Sequence, residues 1–236
     1  MAHPQLKRSP IVEAVCEFRF AADAPWDWTV PGLLAPALEP DYPIRREVVG
    51  HVITFGPTPT QEVAPPPERF QFVSRDELSM VQTGPRMLAI NRLSPYPGWA
   101  DFSAQILGAL DLHTERRGWM SIDRVGLLYI NRIESEEPPE DVLAVAPRTE
   151  PLPEEARLTS FAQRWELSFN DSSLTLTTTR VAVPAGYAIQ LDASTTSIAH
   201  VGDRSRLVQW LENAHEMVYQ VFMRSLTFAA FERLND

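Results

Sequence analysis

FQFVSRDELSMVQTGPRMLAINRLSPYPGWADFSAQILGALDLHTERRG, residues 70–118, is the stretch on which the fold reading turns. Its first thirteen residues form two strand-like runs around Arg75-Asp76-Glu77, a composition that suits a tight reversal. Gly84-Pro85 punctuates the next turn, and RMLAINRL at 86–93 reads as a third strand. A helix is expected from about Gly98, because Trp99, Phe102, Ile106, Leu110 and His113 form one stripe at helical spacing. Gly118 suits its end, and Arg116 and Arg117 suit the negative pole of the helix dipole.

The same order of elements recurs in the second half of the chain. RWELSFNDSSLTLTTTRVAV at 164–183 reads as a hairpin turning at Asn170-Asp171, Pro184-Ala185-Gly186 turns the chain again, and YAIQLDAST is a third strand. Asp203 is placed to cap a last helix running to about Leu234, with Leu207, Leu211, His215, Val218, Phe222 and Leu226 on one stripe. Each half opens on a strand. PIVEAVCEFRF at 10–20 alternates Val12, Ala14, Cys16, Phe18 and Phe20 with Glu13, Glu17 and Arg19, and MSIDRVGLLYINRIE at 120–134 matches it in length and position. A short helix is expected at 29–38 and a strand at 46–55. Proline-rich excursions follow at 56–68 and at 135–157, the second with a short helix around 139–145.

These patterns predict an α+β protein built as a tandem internal repeat. Residues 1–118 and 119–236 form two similar halves, each an antiparallel sheet packed on one long helix, joined in one compact unit. Periodicity leaves open whether the two sheets lie side by side or enclose both helices.

Composition narrows the classes of function. The chain of 236 residues carries a formal net charge of −10, and its basic residues come as isolated pairs such as Arg45-Arg46. That argues against nucleic acid, whose nonspecific binding relies on cations that neutralise phosphates, and in favour of a basic protein partner. No apolar run approaches the roughly 20 residues of a membrane helix. Glu13, Glu17 and Arg19 interrupt the first apolar stretch, so no signal peptide is expected and the protein reads as cytoplasmic. Cys16 is the single cysteine, which removes any intramolecular disulfide and any cysteine-rich zinc site; its alternation with apolar neighbours reads as a buried residue in preference to a nucleophile. No phosphate loop, dinucleotide fingerprint, nucleophile elbow or zinc-protease motif is present, and no cofactor, metal site or catalytic residue is expected.

Several residues stand out as candidates. Arg124, Tyr129, Asn131 and Arg132 share one strand, and with Asp192 and His215 they form a candidate ligand-binding set between the halves. In that reading Asp192 orients His215 as a base; the plainer reading makes His215 a satisfied core histidine and pairs Arg132 with Glu13 or Glu17. Trp99 belongs to its helix stripe, whereas Trp26, Trp28 and Tyr96 lie outside any stripe and are candidate interface residues.

Three motifs carry a resemblance. Leu6-x-x-Ser9-Pro10-Ile11-Val12-Glu13-Ala14, Tyr96-Pro97-x-Trp99-x-x-Phe102 and Arg124-x-Gly126-Leu127-x-Tyr129-Ile130-Asn131-Arg132-Ile133 are joined by Asp192 and Ala214-His215 ahead of Phe222. Over nearly its whole length the chain resembles a sporadically distributed family of uncharacterised bacterial proteins, with Leu128 standing where that family has arginine. The resemblance implies a shared fold and brings no activity with it. The function expected from the sequence is therefore protein–protein contact by a non-enzymatic accessory protein, such as a neutralising or regulatory partner of a neighbouring gene product. The alternative is an enzyme or small-ligand binder with its site between the halves.

Overall fold

A computed structural model describes residues 6–49, 67–147, 160–169, 171–183, 186–197 and 200–236. Two opening strands set the architecture: β1 (Ile11–Phe20) and β6 (Ile122–Ser135) pair antiparallel at the centre, with Cys16 opposite Leu127 and Ala14 opposite Tyr129. On β1 the residues Ala14, Cys16, Phe18 and Phe20 are buried and Glu13, Glu17 and Arg19 are not, as period-two alternation requires. Cys16 is fully buried, and the apolar surroundings push its thiol far above the ordinary range.

The remaining strands are β2 (Ile44–Val49), β3 (Pro67–Val73), β4 (Ser79–Gly84), β5 (Met87–Leu93), β7 (Phe161–Ser168), β8 (Ser172–Val183) and β9 (Gly186–Ser197). They extend outward from the central pair to give one nine-stranded sheet, ordered β2-β3-β4-β5-β1-β6-β9-β8-β7, in which every pairing is antiparallel. This overturns the expectation of two sheets, each with its own helix. Alternation along a strand reports which face is buried and is silent about which strand takes each edge. Here β1 and β6 use their facing edges on each other, so the backbone donors and acceptors that would have ended two sheets are satisfied within one.

Five helices accompany the sheet: α1 (Val30–Leu38), α2 (Trp99–Arg117), α3 (Pro139–Val142), α4 (Arg204–Ser225) and α5 (Phe228–Asn235). α2 begins at Gly98, whose φ of 104° only glycine adopts readily, and buries Phe102, Ile106, Leu110 and His113. α4 begins at Asp203, whose carboxylate accepts the Arg206 amide at 2.9 Å. The two helices lie side by side on the same sheet face, tied by a two-pronged Arg204–Asp111 contact with N···O distances of 2.8 and 2.7 Å. The expected single helix to Leu234 is broken instead. Leu226 turns extended to bridge Leu143, and the Thr227 hydroxyl caps α5 by accepting the Ala230 amide. The short helix foreseen near 139 is α3, whereas residues 50–55 of the expected strand, 56–66 and 148–157 of the two excursions, and the Asn170, Pro184 and Ala185 turn positions lie outside the described residues.

The opposite sheet face carries a row of polar side chains. Gln71 donates to Gln82, Gln82 to Asn91, and Asn91 to the Glu13 carboxylate, at 2.9, 2.7 and 2.6 Å, so neighbouring strands β3, β4, β5 and β1 are also linked through their side chains.

His113 is another buried titratable group of the core. It stacks on Phe20 with centroids 4.8 Å apart, and the Arg117 guanidinium lies 3.2 Å from its Nε2. Burial first, and the neighbouring cation second, lower its pKa to about 4. An unfolded histidine titrates near 6.5, so between these two values the unfolded chain binds the extra proton. Stability is therefore expected to fall as pH drops from about 6.5 towards 4, by roughly 2–3 kcal/mol from this group, and this part of the dependence levels off below that window. Urea denaturation of wild type and His113→Gln across pH 4–7 checks this, the variant showing the flatter profile. Phe102 is fully buried, and Phe102→Ala is expected to cost about 3–5 kcal/mol in the same assay.

Candidate ligand-binding cleft

The central pair also positions the cleft. On β6 the alternation turns Val125, Leu127, Tyr129 and Asn131 toward the helices and leaves Arg124, Ile130 and Arg132 on the other side. Tyr129 and Asn131 therefore form a floor. The start of α2 contributes Tyr96, Gly98 and Trp99 as one wall, α4 contributes Glu212, His215, Glu216, Tyr219 and Phe222 as the other, and the segment Leu6–Ile11 closes one end. The volume of this open cleft is about 560 Å³, within the range of small-molecule sites.

The polar groups of the cleft hold one another in place. The Tyr129 hydroxyl lies 3.1 Å from the Tyr96 hydroxyl and 3.1 Å from His215 Nδ1, joining the two walls through the floor. The Tyr96 and Tyr129 rings meet edge to face at 5.6 Å. Trp99 stacks on His215 with centroids 4.3 Å apart and planes within 7°, and its indole N–H donates to both oxygens of Glu212 at 3.0 Å. Burial raises the Tyr96 pKa to about 12, and burial first, with Tyr96 second, holds that of Tyr129 well above the ordinary phenol value. Both phenols therefore keep their protons at neutral pH. Asn131 is buried and donates Nδ2 to the Leu191 carbonyl at 2.9 Å.

The structure gathers only part of the candidate set read from the sequence. Tyr129, Asn131 and His215 line the cleft; Arg124, Arg132 and Asp192 do not. Asp192 pairs in register with Ile130 and Thr177 on the opposite face, so the sheet itself separates it from His215 and it cannot orient that ring. Gln190 donates to both of its carboxylate oxygens at 3.0 and 2.8 Å, and partial burial raises its pKa. Arg132 engages Glu134 at 3.1 Å instead of Glu13 or Glu17, whose carboxylates bind Asn91 and Arg19. Arg124 is exposed beside Arg19. Of the expected interface residues, Tyr96 turns into the cleft wall, and Trp26 is half-buried against the core with Arg117 over its ring at 5.9 Å. Trp28 stays 47% exposed, its ring edge-on to Phe70 at 5.8 Å.

Glu212, Glu216, Tyr219 and the second use of Trp99 were missed by the sequence reading. Positions 212, 216 and 219 follow helical spacing one step round α4 from the apolar stripe, a row that reads as solvent-facing until a second helix stands beside it. Among the described residues no three His, Cys, Asp or Glu side chains come together as metal ligands, and no helix is long and apolar enough to cross a membrane. Comparison of the chain with protein-family models, curated proteins and solved structures finds no match in any of the three.

Tyr129→Phe removes the hydroxyl that Tyr96 and His215 share and is expected to cost about 1–3 kcal/mol, because buried partners lose their bond. Tyr96→Phe is expected to cost less, since Tyr129 then still reaches His215. Urea unfolding of the two single variants and the double variant measures the coupling.

Proposed function

We propose that this protein is a cytoplasmic, non-enzymatic binding protein that holds a small organic ligand in the cleft between α2, α4 and β6. The observation that carries this reading is the cleft itself: about 560 Å³ with predominantly aromatic and apolar walls and a few fixed polar groups. Its hydroxyls, indole and imidazole are already tied to one another, which suits a preorganised receptor, since little ordering is left to be done on binding. Binding to the cleft would bear on both long helices at once, because its walls belong to α2 and α4.

The test uses the Trp99 indole N–H as a reporter in the purified full chain, assigned with Trp99→Phe. In a screen of small organic molecules followed by NMR, hits are expected to shift this signal in preference to the other indoles. Hits that scatter over the surface and leave Trp99 unmoved would overturn the reading.

A second reading, contact with a protein partner, is favoured by one specific observation. Trp28 and Leu33 stand about half exposed, at 47% and 50%, on and just before α1, where large apolar groups gain from being covered. In affinity purification at native expression, a specific partner is expected to be lost on Trp28→Ser/Leu33→Ser while the cleft ligand is retained. A partner retained equally by that variant would count against this contact surface.

A further inference from the structure

We infer that two copies of this chain associate through β7, each pairing antiparallel with the other across a twofold axis centred on Trp165. β7 is the last strand of the sheet, and among the described residues nothing pairs with its outer edge. Which backbone groups point there follows from the β7–β8 hairpin. The Phe169 amide donates to the Ser172 carbonyl at 2.7 Å, so the odd-numbered residues along the strand turn their backbone groups to β8. The amides and carbonyls of Ala162, Arg164, Glu166 and Ser168 therefore point outward, and all four residues are exposed. Such a row is a ready template for another strand. α4 packs mainly on β9 and β6, two and three strands in from β7, so that long helix stands back from the edge.

The order of residues along the strand selects the partner. FAQRWELSF, residues 161–169, is nearly symmetric about its centre: Phe161 matches Phe169, Ala162 matches Ser168, and Arg164 and Glu166 flank Trp165 with opposite charges. An antiparallel strand of the same sequence, centred on Trp165, sets each Arg164 opposite a Glu166 of the second copy. On the face that carries the helices it sets Trp165 on Trp165, Phe161 against Phe169 and Gln163 against Leu167. These are the non-hydrogen-bonded pairs of the new ladder, where side chains approach most closely and aromatic pairs contribute. Leu167 and Phe169, 45% and 42% exposed in the single chain, become covered. Within one chain Arg164 and Glu166 pair at 2.8 Å on the surface. An exposed pair of that kind adds little to its own chain, so exchanging it for pairs between copies loses little. Charges that merely guarded an edge would carry one sign, because two copies then repel. One of each sign, on either side of the centre, attracts a second copy.

The experiment is analytical ultracentrifugation of the purified full chain over a range of concentrations, and a reversible monomer–dimer equilibrium is expected. Arg164→Glu and Glu166→Arg each set like charges opposite one another between copies, and each is expected to weaken the dimer at least about tenfold. Both side chains are exposed, so circular dichroism is expected to show the fold of each variant unchanged. Mixed in equal amounts, the two variants face an acidic pair with a basic pair, and the heterodimer is expected to recover the wild-type affinity. The double variant Arg164→Glu/Glu166→Arg is expected to dimerise with itself again. A wild-type chain that stays monomeric at every concentration overturns the inference, whether or not another protein's strand takes that edge. The same holds for a dimer that neither reversal weakens and for a mixture of variants that fails to pair. Species that grow beyond the dimer also overturn it, since they require a head-to-tail contact such as β7 on β2 of the next copy.

Discussion

The antiparallel pairing of β1 with β6 is the constraint on which everything else in this molecule depends. It joins the two halves of the chain through backbone hydrogen bonds, which no side-chain substitution removes directly, and fixes one register: Cys16 against Leu127, Ala14 against Tyr129. From that register follow the buried face, the seats of both long helices and the floor of the cleft. A shift of one residue would turn Tyr129 and Asn131 to the opposite side and bring Ile130 and Arg132 into the core. The alternating apolar residues of β6 make such a slip costly, since Val125 and Leu127 would leave the core with Tyr129.

The cleft is a product of where two helices meet one strand. α2 and α4 share a sheet face and are pinned by the Arg204–Asp111 fork, while Tyr129 rises between them to reach Tyr96 on one side and His215 on the other. Each contact has two purposes. The hydrogen bonds satisfy polar groups that would otherwise be buried without partners, and the same bonds hold the aromatic rings at fixed angles around an open space. Stability and receptor geometry are therefore difficult to separate in this region, which is why a reporter of position, the Trp99 indole, is more informative than loss of binding alone.

Much of the local structure was legible in the residues. The alternation of Ala14, Cys16, Phe18 and Phe20 identified β1, the stripe from Phe102 to His113 identified α2, and Asp203 marked the start of α4. Those signals depend on a single element and its own periodicity. What stayed hidden depends on pairs of elements. Nothing in 10–20 or 120–134 says that these strands choose each other, so one sheet was read as two. Nothing in Asp192 reveals its register against Ile130, so it was grouped with a histidine that the sheet keeps from it. The helix break at Leu226 likewise depends on a distant partner, Leu143. Of the candidate site, Tyr129, Asn131 and His215 could be singled out by type and position; Glu212, Glu216 and Tyr219 became meaningful only once α2 stood opposite.

A single sheet with its seam at the middle has one more implication. The covalent link between the halves, near Gly118 and Trp119, runs from the end of α2 into the strand on the far side of that seam. Severing it would leave two polypeptides, each with one edge of a long strand open, since β1 would still pair with β5 and β6 with β9. An open strand edge of that kind is a template for pairing with another chain. The molecule is in that sense a ready-made split protein, in which reassembly of the two pieces would rebuild the seam and the cleft above it in the same event.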